Sequence, residues 1–309
     1  MGNRLSGLNL RNMGLDLQGV RYHCGLKKKG CSFRRVAMLG RQAFASDVEV
    51  RPMLEIACRA GLALEAARVE RWLTTAGRFV EDFYRWLGAV QVESFDVSDY
   101  EGATRLWDMN EPLPQAEVGG YDFVFDGGTL EHVFRFSDAL RGALALVAPD
   151  GMFLSATPAN SYLGHGFYQF GPDLPFSILH PDNGFELGGV HLVEMRHKAV
   201  FHEVLPPGPT RGRALASTSW PAQMFYWGRR VGSIPERLTA VQPDYQEAWQ
   251  SGSHSERGGR RSSGGFRRLL TRFSVSRQHD VLRLLKLCYV TLKGNAFFDR
   301  GSFRPTDEF

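Results

Sequence analysis

Short apolar runs and helix-spaced apolar positions take turns along this chain. Arg35 to Gly40 (R-V-A-M-L-G) is an apolar run that stops at a glycine, as a first buried strand does. Pro52 to Leu73 is helical in pattern: Leu54, Ala57, Cys58 and Leu62 share one face, Glu65, Arg68 and Glu70 mark the polar side, and Pro52 suits a first turn. Arg78 to Leu87 predicts a second helix with Val80, Phe83, Tyr84 and Leu87 inward and Gly88 as its stop. Val90 to Val97 reads as a second strand and Ala103 to Trp107 as a third. Phe123 to Phe125 is a short buried strand halted by Asp126-Gly127-Gly128. Ser137-Asp138 then supplies an N-cap for a helix with Leu140, Leu144 and Val147 on one face, which Pro149-Asp150-Gly151 ends. Met152 to Thr157 is the next strand, closed by Pro158. Strand, helix and strand in this order, with so long a connection, predict a parallel crossover. Gly184 to Leu205 and Ser217 to Val231 add strand character and predict an antiparallel edge pair. The fold class is therefore α/β, a doubly wound, mostly parallel sheet.

The polar segments divide the chain. Residues 1–34 read as an N-terminal arm with one short helix, and Lys27-Lys28-Lys29 as a solvated face. Residues 35–250 hold the α/β pattern. Residues 251–280 are rich in Ser, Gly and Arg, with seven Arg and no acid from Arg257 through Arg277, as in a flexible basic linker. Residues 281–309 form a C-terminal appendage opened by an amphipathic stretch, Val281 to Lys293; its apolar and basic residues together permit docking on an anionic membrane surface. A net charge of +4 does not call for nucleic acid, and no nucleic-acid motif is present. The four cysteines are scattered, outside disulfide or zinc-ribbon spacing, which fits a reducing cytoplasm. At 309 residues and 43% hydrophobic content, a sizeable core is expected, with no membrane span.

Chemistry is expected where parallel strands end. The turn after the first strand is Gly40-Arg41-Gln42-Ala43-Phe44; it keeps one glycine of a G-x-G pattern and places Gln42 at the second. Glu93 and Asp96 are candidates for a carboxylate that accepts from the vicinal hydroxyls of a ribose, and Asp96 lies nearer the strand end. Asp126, Glu131 and His132 lie just past the Phe123–Phe125 strand. After Pro158, two glycines flank His165, with Tyr168 and Gln169 beyond. A histidine on so free a backbone can act as a general base, and Tyr168 and Gln169 can orient a polar substrate. His191, His197, His202 and Glu194 do not fall at a metal-ligand spacing, and no metal is expected.

The stretch F-D-G-G-T-L-E-H-V-F, with A-L-R-G-A-L-A-L-V-A-P-D-G-M-F-L-S-A-T-P-A-N after it, resembles the fourth strand, following helix and fifth strand of class I S-adenosylmethionine-dependent methyltransferases. The likeness runs from about Arg35 to Asn160, with vaguer support to about Val231. It implies a seven-stranded Rossmann-like sheet with S-adenosylmethionine held by Gly40, Asp96, Asp108, Asp126, Glu131 and His132. Asp108 would sit beside the adenine amino group, and Asp126 or Glu131 at the amino-acid end. It implies methyl transfer to an oxygen or nitrogen; His165 as its base rests on the loop context alone. G-H-G-F-Y-Q-F-G-P-D-L also resembles a stretch in bacterial methyltransferase-like proteins encoded among surface-polysaccharide genes, which implies a small-molecule or saccharide acceptor. Gln42 departs from the family pattern and motivates a second expectation, a catalytically inactive binding or scaffold protein. A third, a dinucleotide or nucleotide-sugar enzyme, lacks its G-x-G-x-x-G.

Overall fold

In the computed structural model the described residues are 14–195, 199–207, 214, 216–218, 220–242, 297–298 and 302–309. In chain order the elements are α1 (Leu17–Lys28), β1 (Arg35–Leu39), α2 (Val50–Arg59), α3 (Ala66–Thr74), α4 (Glu81–Trp86), β2 (Gln91–Asp96), β3 (Arg105–Leu106), β4 (Tyr121–Asp126), α5 (Phe136–Leu146), β5 (Val147–Asn160), α6 (Asp173–Ile178), β6 (Phe185–Glu194), β7 (Phe201–Val204), β8 (Ala216–Ser217), β9 (Ala222–Arg230), β10 (Phe297–Phe298) and β11 (Phe303–Thr306). A short 3-10 turn, Leu130–His132, lies between β4 and α5.

Nine strands form one sheet in the order β11-β7-β6-β9-β5-β4-β1-β2-β3. The half from β5 to β3 is parallel, and β9, β6, β7 and β11 are antiparallel. The sheet is thus mixed, not a mostly parallel sheet of seven strands with a narrow antiparallel edge. The reason is hairpin-like pairing: β9 lies against β5 from Met152 to Asn160 and against β6 from Phe185 to Glu194.

Alternate residues of β1 serve two cores. Val36 and Met38 join one with α1 to α4, and Ala37 and Leu39 join the other with α5; all four are fully buried. Both faces being covered explains why β1 and β4 read as unbroken apolar runs. The helical block from Pro52 to Leu73 is two helices, α2 and α3, because the chain turns at Gly61 in the left-handed region (φ 74°). The N-cap of α5 is Arg135, not Ser137 or Asp138; Asp138 instead pairs with Arg135 at 2.6 Å.

Of residues 1–34, α1 packs into the core through Val20, Tyr22, Cys24 and Leu26. His23 is fully buried between the Gly19 carbonyl (2.8 Å) and the Tyr84 hydroxyl (3.0 Å), and burial holds it down at about 4. Phe303–Thr306 pairs antiparallel with β7, and Phe309 stacks on Tyr22 at 4.0 Å and 9°. Lys29 forms an ion pair with Glu308. The basic stretch Arg257–Arg277, the segment 281–296 and His197 lie outside the described residues. Among the described residues, no helix is long and apolar enough to cross a membrane.

Asp16 caps α1, its Oδ1 accepting from the Gly19 N–H at 2.7 Å. It is buried beside Asp47, and burial first, then that neighbouring charge, push its carboxyl up to about 7. A carboxyl raised in the folded state contributes stability that is full below its unfolded value near 4 and is lost as pH rises toward 7. Asn caps a helix as well as Asp does and carries no charge. Asp16→Asn is therefore expected to raise the Tm at pH 8, with the gain shrinking as pH falls toward 4; calorimetry across that range checks it.

Candidate active site

A cavity of about 660 Å³ opens where the order of the parallel strands reverses, at the carboxyl ends of β1, β2, β3 and β4. Gly40, Asp96, Asp108 and Thr129 line it, each just past or at the end of one of those strands. Gly40 has φ 67°, and a Cβ there would lie 2.8 Å from the Thr129 hydroxyl oxygen, so the turn requires glycine twice over. The Thr129 hydroxyl and the Gln42 side-chain amide both donate to the Leu39 carbonyl, each at 2.8 Å. Gln42 is buried, with its amide oxygen over the bare Gly127. It thus closes the end of β1 with a side chain, where a second glycine would leave open space.

Asp96 faces the cavity, whereas Glu93 does not line it and pairs with Arg105 at 3.5 Å. Asp108 is exposed and accepts from the Asn110 N–H and side-chain amide, both at 2.9 Å, which lowers its pKa from the ordinary value. Arg41 also lines the cavity. Its guanidinium lies 3.7 Å above the Phe79 ring, bonds Glu81 at 2.7 Å and donates to the Glu101 carbonyl at 2.8 Å. The sequence reading passed over Arg41 and Phe79; a cation directly after the turn glycine, with Glu81 near the start of the next helix, was the signal for them.

Other expected site residues turn away from the cavity. Asp126 is fully buried, accepting from the N–H groups of Thr129 (2.9 Å) and Leu130 (3.2 Å) and from the Ser155 hydroxyl (2.7 Å). Burial first, then the charge of Glu131, push its pKa up. It fixes the chain after β4 and is not a cavity-facing ligand. Glu131 is also fully buried and does not line the cavity, whereas His132 does. His165 sits behind them, with Nε2 3.4 Å from Glu131 Oε1 and its ring 5.0 Å from that of His132. The expected substrate ligands are engaged locally: the Tyr168 hydroxyl donates to the Phe134 carbonyl at 2.8 Å, and Gln169 Oε1 accepts from the Tyr162 N–H at 2.9 Å. Of the other histidines, His191 shares a hydrogen bond with Tyr22 at 2.8 Å.

The loop after β5 is tied to the turn after β4. The Glu131 carbonyl accepts from the N–H groups of Phe167 (2.9 Å) and Tyr168 (3.3 Å). A Cβ on Gly166 would lie 2.9 Å from that same carbonyl oxygen. Gly166→Ala must push two backbone segments apart and is expected to cost about 1–3 kcal/mol, read as a lower Tm with faster amide exchange over residues 161–169.

No known family model matches the sequence, and no curated protein matches it. Similar solved structures include the trans-methyltransferase CalH in complex with SAH (13% identity, 68% of this chain and 55% of that one, TM-score 0.34). Others are a Burkholderia thailandensis 1,6-didemethyltoxoflavin-N1-methyltransferase with bound S-adenosylhomocysteine (12%, 69% and 78%, TM-score 0.36) and an Aquifex aeolicus SAM-dependent methyltransferase (12%, 66% and 87%, TM-score 0.29). The chain thus spans little more than half the length of CalH. Likenesses of this size do not extend the chemistry of those proteins to this chain.

Proposed function

We propose that this protein binds S-adenosylmethionine and transfers its methyl group to an oxygen or nitrogen of a small-molecule or saccharide acceptor. The observation that carries the reading is the pair Asp96 and Asp108, two carboxylates at the ends of neighbouring parallel strands, both on the wall of one cavity beside the glycine turn after β1. Such a pair fits a nucleoside: Asp96 for ribose hydroxyls, Asp108 at the base. Arg41, which sequence reading did not single out, fits a carboxylate. The bound cofactor would supply a methyl already activated on a sulfonium; the protein's task is to align the acceptor with it and exclude water.

The acceptor's proton needs a destination. His132 is the imidazole on the cavity wall, with Glu131 buried behind it and His165 a step further back. This corner, more than His165 alone, is the proton-accepting group of the reading. Phe134 and Phe167 stand exposed with ring centroids 6.1 Å apart, directly along the chain from His132 and Gly166, and offer apolar faces to the rings of a sugar.

Calorimetric titration of the purified protein with S-adenosylmethionine and S-adenosylhomocysteine tests the reading. Micromolar binding is expected, weakened about tenfold or more by Asp96→Asn, the size of a lost hydrogen bond to a charged group. Folded protein that binds neither compound overturns it. The buried Gln42 favours the second reading in that event, a scaffold whose strand end is sealed by a side chain.

A further inference from the structure

We propose that Glu131, His132 and His165 form a binding site for one divalent first-row transition ion. The three side chains come from the turn after β4 and the loop after β5, which the Glu131 carbonyl ties together. Each offers one ligand atom, and the three atoms lie within 4.8 Å of one another. Glu131 Oε1 is 3.4 Å from His165 Nε2 and 4.0 Å from His132 Nε2. Ligands about 2.1 Å from a tetrahedral ion stand about 3.4 Å apart, so the first pair is already spaced and His132 has to swing in by about 1 Å. Its ring, 47% exposed, is free to do so.

The second observation is the state of the carboxylate. Glu131 is 0% exposed, yet neither of its side-chain oxygens has a hydrogen-bond partner; His165 Nε2 is also buried without one. A buried carboxyl left so bare is costly, and such groups are ordinarily hydrogen-bonded, paired or bound to metal. Asp126, which acts electrostatically on Glu131, adds a second buried carboxylate to the same negative centre. A dication offsets both. One carboxylate with two imidazoles selects zinc, iron, manganese or cobalt over magnesium or calcium, which prefer oxygen shells. Because His132 lines the cavity, the ion's remaining positions would face a ligand there. Such an ion would hold an acceptor hydroxyl and ease loss of its proton, so the corner would work through the metal and not through a free imidazole. That last role rests on the methyl-transfer reading; the site itself does not.

The expectation of no metal rests on the offsets of His191, His197, His202 and Glu194, which match no ligand spacing; Glu131, His132 and His165 are brought together only by the fold. The test is titration of chelator-treated, dialysed full-length protein with Zn²⁺ at neutral pH under reducing conditions, in wild type and in His132→Ala and Glu131→Gln. One ion per chain is expected, at a Kd of about 1 μM or tighter, weakened at least about tenfold by either variant. His132→Ala alters a half-exposed ring, so it keeps the test valid if Glu131→Gln fails to fold. Absence of Zn²⁺ binding, or equal binding by wild type and His132→Ala, overturns the proposal. S-adenosylmethionine titrated into the same metal-free samples reports on the cofactor separately, so failure of one reading does not pass for failure of the other.

Discussion

The central strands of this sheet are covered on both faces, and that burial governs where the chain can put anything polar. β1 and β4 pair side by side from Val36 to Leu39, with Phe123, Val124 and Phe125 all buried opposite. An ionisable group in mid-strand would have no partner. Polar side chains therefore fall at the strand ends, and at the carboxyl ends the strand order reverses. Asp96, Asp108, Gly40 and Thr129 gather there because the packing leaves them nowhere else. The cavity is a consequence of the sheet's topology before it is a feature of any side chain.

Behind that cavity the same constraint produces a different result. Asp126 ends β4 and Glu131 lies past it, yet both are fully buried, and the loop after β5 bonds to the Glu131 carbonyl. Asp126 is satisfied by two backbone N–H groups and the Ser155 hydroxyl. Glu131 is not, and its surroundings are two histidines and another acid. Two acids five residues apart thus have opposite characters: one is a structural bracket, the other is buried with no hydrogen-bond partner.

Much of the parallel half was legible in the sequence. The apolar runs at Arg35, Val90 and Phe123 became β1, β2 and β4, and the strand–helix–strand reading after Tyr121 matches β4, α5 and β5. Periodicity reports burial, so it succeeded where burial is complete. It could not tell that Asp126 and Glu131 are buried while acids past other strands face the cavity. Asp96, taken as the acid nearer a strand end, and Asp108, taken from the family resemblance, line the cavity, whereas Asp126, expected at the same ligand, does not. Tyr168 and Gln169 read as substrate ligands for the same reason: a polar side chain that braces its own loop has the same letter as one that reaches outward. The width of the antiparallel half was missed because β11 pairs with β7 across about a hundred residues, a distance local pattern does not span.

That distant pairing bears on the order in which the molecule is made. The parallel half, from β1 to β5, is complete in sequence by Asn160 and contains the whole cavity. The outer edge of the sheet is not, since β7 lacks its neighbour until Phe303–Thr306 has been synthesised, and Tyr22 of α1 lacks the Phe309 ring that stacks on it. An unpaired strand edge is a template for association with other chains. On the ribosome, the cavity can therefore assemble early, while the opposite edge stays open until Phe303–Thr306 has emerged. A nascent chain of this protein is at its most vulnerable to misassembly at the edge of the sheet farthest from the cavity.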